Sequence, residues 1–230
     1  MEGSCDEKMG EWGVGSGTMS ARGSAALEPQ TVALVRIAAA TATGDEAVLR
    51  ERMIAARALQ VPAVWVEELL LQSFLNVGYP LALVAFGVWR AVEGGPPHET
   101  GERVSHAEWQ RWLERGEEAC AGVYGRTYHK LLLNLRALHP AIETLVVVDA
   151  YGKILARPGL DAKRRELCTL AAIAMLGAER QFHAHLRGAL NTGSTREDID
   201  AVLAVIEADL RPDRALRVWE LWADVRERKL

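Results

Sequence analysis

The chain has 230 residues, of which 49% are apolar, 25% charged and only 6% aromatic, with a formal charge of −4. That length can bury a core without disulfides or a structural metal. Acids and bases are intermixed along it, so there is no basic stripe of the kind a nucleic-acid surface needs, and nucleic acid is not an expected partner.

Alanine and leucine dominate and β-branched runs are short, so helix is favoured nearly everywhere and an all-α fold is expected. No uninterrupted apolar run reaches the length of a bilayer crossing; "TVALVRIAAATATG" is too short and contains Arg36. The opening residues lack the basic start and apolar stretch of a secretory signal, which points to a cytoplasmic protein without membrane partners. Cys5, Cys120 and Cys168 are widely spaced and odd in number, unlike a disulfide framework or a zinc ribbon.

In chain order, residues 1–25 are rich in Gly and Ser with little periodic hydrophobicity and read as a disordered tail. The "GVGSG" within them has no strand before it and no Lys-Ser/Thr pair after it, so it is a poor phosphate loop. A first lobe, 26–93, then reads as "EPQTVALVRIAAATATG" ending at Gly44, "DEAVLRERMIAARALQV" running to Pro62, "AVWVEELLLQSFLNV" stopping at Gly78-Tyr79-Pro80, and "LALVAFGVWRAV" ending at Gly94-Gly95. Residues 94–104 have the paired glycines and prolines of a linker.

The second lobe, 105–230, opens with Ser105 and Glu108 spaced as a capping box, followed by helices through "AEWQRWLERGEEACAGVYG" and "RTYHKLLLNLRALHP". In "AIETLVVVDAYGKILARPG" the "TLVVV" has strand character but sits among helices, and helix is expected. A helical hairpin follows: "LDAKRRELCTLAAIAML", Gly177 as the stop, and "AERQFHAHLRGALN" ending at Thr192-Gly193. Thr195 and Asp198 start another helix, and Pro212 begins the last.

The two lobes look related. The segment from Glu28 to Leu70 lies over Asp161 to Leu203 with small gaps, each giving helix, Gly, helix, break, helix, which reads as an internal duplication. Where the second lobe has Arg165-Glu166 the first has Val32-Ala33, and His185 falls opposite Arg52 or a neighbour. Only the second lobe keeps the polar set.

His183 and His185 are two residues apart, so on a helix they point to nearly opposite sides and cannot share one metal ion. Neither has a histidine four residues away, the spacing of helical zinc sites, so no metal is expected. His185 shares a face with Ala178, Gln181, Gly188 and Thr192, whereas His183 lies with Glu179 and Arg187. Counting back from Gly177, Glu166 lies about 16 Å down one arm of the hairpin and His185 about 12 Å down the other, at about 1.5 Å per residue. A carboxylate and an imidazole can therefore meet across it, and such a pair holds the ring in one tautomer and raises its basicity. The spacing equally suits a Glu166 that caps or salt-bridges near the helix start, with His185 a satisfied interfacial residue.

Over Gly116 to about Leu203, through "VYG", "AYGKILARPGLD" and "RELCTLAAIAMLGAERQFHAHLRGALNTGSTREDI", the sequence resembles the carboxymuconolactone decarboxylase family, which shares the all-helical AhpD-like fold. The first lobe looks like the family's remaining piece, with the helix, Gly-x-Pro turn and final helix in "EELLLQSFLNVGYPLALVAFGVWR", so the chain resembles a rearranged tandem member. The peroxidase branch of that family uses a Cys-x-x-Cys-x-x-x-His motif and a glutamate one helix earlier. On this chain the glutamate falls on Glu166, the histidine on His185, and the cysteines on Ala178 and Gln181. Thiol peroxidase chemistry needs an attacking thiolate and a resolving thiol, and neither position supplies one.

The resemblance to the decarboxylase branch implies cofactor-free decarboxylation or isomerisation of an anionic lactone-type compound. Glu166 and His185 would handle the proton, and Arg165, Arg187, Gln181 and Tyr79 would bind substrate. Arg187 lies about 200° around the helix from His185, so the two need not face one pocket. For Gln72, Tyr79 and His185 to be neighbours, the Gly78-Tyr79-Pro80 turn must close over the second lobe. The resemblance also implies a homo-oligomer. A non-catalytic ligand-binding or assembly protein with the same fold is the competing expectation.

Overall fold

The computed structural model describes residues 27–95 and 108–227, and every regular element in them is helical. The anticipated tail, most of the linker and Ser105 of the anticipated capping box lie outside the described residues. The order is α1 (Pro29–Thr43), α2 (Glu46–Ala58), α3 (Ala63–Glu93), α4 (Trp109–Tyr124), α5 (Tyr128–Leu138), α6 (Pro140–Thr144), a π-helical stretch Leu145–Leu155, α7 (Ala162–Leu176), α8 (Glu179–Asn191), α9 (Arg196–Ile206) and α10 (Pro212–Arg226). The all-α AhpD-like fold expected from the sequence is the fold observed.

Local chemistry sets most helix ends. Gly44 and Gly177 stop α1 and α7 in the left-handed conformation, both with φ of 72°, where a Cβ would be strained. Asp45 accepts from the Ala47 and Val48 amides to start α2, and Asp161 accepts from Arg164 to start α7. Thr195 and Asp198 form the anticipated capping box of α9, and Pro212 is the first residue of α10.

Two stretches differ from the sequence expectation. The chain does not leave helix at Gly78: α3 continues through it with one non-helical residue (φ 74°, ψ 176°), so the Gly-x-Pro turn is a kink rather than a break. The resulting 31-residue helix is, by length and composition, apolar enough to cross a membrane, which short apolar runs in the sequence did not suggest. In the fold it packs on α1, α2 and α7. "LVVVDAYGKIL" is helical, as expected, but with π geometry.

The core runs through both halves of the chain. Leu34, Ile37, Leu49, Met53 and Leu70 join Leu167, Leu170, Phe182, Leu186, Leu203 and Trp222 in one apolar cluster. Helices α1 and α7 lie against each other at its centre, their alanines allowing close approach. A polar knot ties α3 to α7 inside this core. Arg165 and Glu68, each 2% exposed, pair at 2.9 Å, and Arg157 pairs with the other Glu68 oxygen at 3.1 Å.

A smaller cluster of Cys120, Val123 and Tyr151 sits where α4 crosses the π-helical stretch. That crossing depends on two glycines. A Cβ on Gly116 would strike the Val147 carbonyl, and one on Gly152 would strike the Trp112 carbonyl. The crossing brings α4 alongside α8, against the α7–α8 hairpin.

Candidate functional site

Glu166 is carried by α7, the more buried arm of the hairpin, and His185 by α8. The imidazole Nδ1 lies 2.8 Å from Glu166 Oε2, so the two side chains meet across the hairpin at the heights helix geometry predicts. Glu166 is 4% exposed and His185 14%, which places the pair at the edge of the core. Nδ1–H donates to the carboxylate, and among the described residues no hydrogen bond engages Nε2.

Gly188 makes the contact possible. It lies one turn after His185 on the same face of α8, and a Cβ there would sit 2.5 Å from Glu166 Oε2 and 2.8 Å from Val123 Cγ1. The missing side chain is the space the carboxylate occupies. Burial alone would push the His185 pKa down, but the charge and hydrogen bond of Glu166 outweigh it and hold the imidazolium form above the ordinary range.

Two cavities that share Val123 lie near this pair; Glu166 lines the second of them, and His185 lines neither. The first is a cleft of about 570 Å³ between α8 and the α4–α5 junction, lined by Tyr124, Arg126, Lys130, His183, Arg187 and Asn191 among others. It carries three full cations and no carboxylate. Among the described residues none of Arg126, Lys130 and Arg187 is ion-paired. The second cavity, about 490 Å³, is lined largely by Ala119, Gly122, Val123, Leu155, Ala156 and Ala162, with Tyr151, Arg165 and Glu166 in its wall.

The six residues singled out from the sequence therefore separate. Glu166 and His185 come together, and Arg187 lines the cationic cleft alongside His183. Arg165 touches the second cavity, but its guanidinium is committed: it binds Glu68, the Leu160 and Arg157 carbonyls, and Gln72 Oε1. Gln181 is on the exposed side of α8 and lines neither cavity. Tyr79 is 72% exposed, stacks edge-on against Phe74 with ring centroids 4.7 Å apart, and also lines neither cavity. Gln72 bonds the Arg165 carbonyl and Thr169, so the α3 turn does not close over the histidine.

Several residues of the site were not singled out in the sequence. Gly188 was legible in principle, since it shares the His185 face. Tyr124, Tyr151, Arg126 and Lys130 were not, because their approach depends on how α4 and α5 dock. The thiols nearby are quiescent: burial pushes both Cys120 and Cys168 up to about 12, with the Glu166 charge adding to the effect on Cys120.

A carboxymuconolactone decarboxylase family model matches residues 145–224, from the π-helical stretch into α10, and so contains Glu166, His185 and Gly188. The chain is 34% identical over 96 residues to a nitrosuccinic acid decarboxylase of Metarhizium robertsii, covering 41% of this chain and 67% of that one. It is 33% identical over 93 residues to an uncharacterized 15.0 kDa protein of Paracoccus denitrificans, covering 40% and 69%. The chain belongs to the carboxymuconolactone decarboxylase family. The 4-carboxymuconolactone decarboxylase of Acinetobacter baylyi is a further relative, 29% identical over 91 residues, covering 39% of this chain and 68% of that one. Helices α1–α6 lie outside the family match, so the family segment holds the carboxylate–imidazole pair while α4 supplies one wall of each cavity.

Proposed function

We propose that this family member is a cofactor-free decarboxylase of a small anionic compound whose leaving carboxylate is conjugated to an electron-accepting group such as a lactone carbonyl. The observation that carries this reading is the Glu166–His185 hydrogen bond, formed next in sequence to Ala184, which lines a cleft whose charged lining is entirely cationic. Two relatives named as decarboxylases, of 4-carboxymuconolactone and of nitrosuccinic acid, support the same reaction class.

In this reading Arg187, Arg126 and Lys130 hold the substrate's carboxylates. The bond to the departing carboxylate breaks, carbon dioxide leaves, and the electron pair passes into the acceptor group as an enolate. The proton held on His185 Nε2 then goes to carbon, and solvent returns one to the ring. Glu166 keeps Nδ1–H in place and holds the ring cationic until that transfer. Arg165 stays with Glu68, because redirecting a buried ion pair leaves a carboxylate uncompensated.

The family's thiol chemistry has no footing here. Ala178 and Gln181 occupy the cysteine positions. Helices α1 and α7 also pack on each other, while α1 packs on α9 and α7 on α3, an exchange-symmetric arrangement that supports the duplication read from the sequence.

The test is ultraviolet-monitored turnover of 4-carboxymuconolactone and, by carbon dioxide release, of nitrosuccinate, with His185→Gln alongside. Turnover of either compound, reduced about 100-fold or more in the variant, is the expected result. Turnover that survives His185→Gln unchanged removes the imidazole from the mechanism.

A further inference from the structure

The second cavity takes no substrate in the reaction proposed above, which places the anionic groups among the cations of the first. Its space exists because several residues around it are small: Ala119 and Gly122 of α4, together with Ala156 and Ala162, line a volume of about 490 Å³. A Cβ on Gly122 would meet nothing within 4 Å, so that position opens onto free space. An apolar cavity of roughly 150 Å³ holds benzene, so this one has room for a molecule of two rings.

One group in its wall is left incomplete. The Glu166 side chain is 4% exposed. Its Oε2 is turned to α8, 2.8 Å from His185 Nδ1 and 2.5 Å from where a Cβ on Gly188 would sit. No residue of α8 lines the second cavity and Glu166 does, so Oε1 is the carboxylate oxygen left to meet it. Among the described residues Oε1 accepts no hydrogen bond, and it keeps accessible surface. Arg165, Arg115 and Thr192, also in the wall, are committed to Glu68, the Gly152 carbonyl and the Gly188 carbonyl. A largely buried carboxylate oxygen without a donor is costly, and a ligand hydroxyl removes that cost. The charges of the wall already balance, Arg115 and Arg165 against Glu118 and Glu166. An ionic ligand would bring an uncompensated charge into an apolar space, and a neutral donor would not.

We propose that the second cavity is a binding site for an uncharged, largely apolar molecule of the phenol class, of up to two rings, whose hydroxyl donates a hydrogen bond to Glu166 Oε1. The site stands on the cavity and the unpartnered oxygen, independently of the decarboxylase reading. It is joined to the acid–base pair all the same, because one carboxylate serves His185 through Oε2 and the ligand through Oε1. The cationic cleft shares only Val123 with this cavity, so an occupant here leaves the cleft's cations free.

The experiment is equilibrium dialysis of the full chain near neutral pH against three probes of similar shape. 2-Naphthol carries the donor, 2-methylnaphthalene lacks it, and 2-naphthylmethylamine replaces it with a cation. The wild type is expected to bind 2-naphthol, and to bind it more tightly than the amine. Gly122→Leu puts a side chain into the open space at that position and is expected to weaken 2-naphthol and 2-methylnaphthalene alike, about tenfold or more. Glu166→Gln keeps the shape and removes the charge from the acceptor. It is expected to weaken 2-naphthol about fivefold or more while changing 2-methylnaphthalene less than about twofold. Thermal melts verify that both variants are folded. A wild type that does not bind 2-naphthol, or binding that survives Gly122→Leu unchanged, overturns the site. Equal effects on 2-naphthol and 2-methylnaphthalene in Glu166→Gln overturn the hydroxyl contact, and tighter binding of the amine overturns the uncharged class. None of these results alters the reading of the cationic cleft.

Discussion

The hairpins α1–α2 and α7–α8 have the same outline and opposite content. Each runs into a left-handed glycine, Gly44 or Gly177, and each places its first arm in the centre of the core. Counted from those glycines, Glu166 falls opposite Ala33, His185 opposite Arg52, and Gly188 opposite Ala55. Ala33 is simply buried, and Arg52 reaches solvent-side carboxylates, Glu51 at 3.5 Å and Asp209 at 3.8 Å. The pairing shows that the fold needs only the apolar positions and the glycine stop, whereas the site needs a carboxylate, an imidazole and a gap in the facing helix together.

The largest expected effect tests what joins these hairpins. Arg165→Met leaves Glu68 inside the core with one cation fewer, and should lower the unfolding free energy by about 3–5 kcal/mol in a denaturant titration. A small loss would mean that Arg157 alone satisfies Glu68.

Gly188→Ala sharpens the comparison directly, because it gives α8 the residue α2 already has. The new Cβ displaces the Glu166 carboxylate, so stability should fall by about 1–3 kcal/mol and turnover about tenfold or more. The reciprocal change, Ala55→Gly, touches no carboxylate and should cost about 0.5–1 kcal/mol, the helix-propensity difference alone. Equal effects at the two positions would mean that Gly188 is not there for the carboxylate.

The smallest effect is in pH dependence. The folded pKa of His185 is raised above its ordinary 6.5, so its linked stabilisation is complete below about pH 6.5 and is lost as pH rises through the folded value. A reaction that needs the imidazolium should likewise lose rate on that alkaline side. Glu166→Gln removes the anion and should move the alkaline limb of kcat to lower pH. A limb that stays in place would assign it to another group.

Much of the scaffold was readable in the residues. The helix starts at Asp45, Asp161, Thr195 and Pro212 and the stops at Gly44 and Gly177 are local chemistry, settled within a few residues of backbone. The contact between Glu166 and His185 was also within reach, because a tight hairpin converts sequence spacing into height. The continuity of α3 through Gly78 was not, since neighbouring helices hold a kinked segment together where isolated chemistry favours a break.

The residues alone establish the all-α class, the hairpin that carries the carboxylate and imidazole, and the absence of cysteines at the family's thiol positions. The tertiary structure alone decided the surroundings of that pair. It committed Arg165 to Glu68, turned Tyr79 and Gln181 away, and brought Tyr124, Arg126 and Lys130 to the cleft. The physical reason is range: helix caps and face periodicity act over one or two turns. The side chains that α8 meets across the cationic cleft instead come from α4, α5 and the turn between them, with α4 positioned by a glycine-dependent crossing with the π-helical stretch roughly 30 residues along the chain.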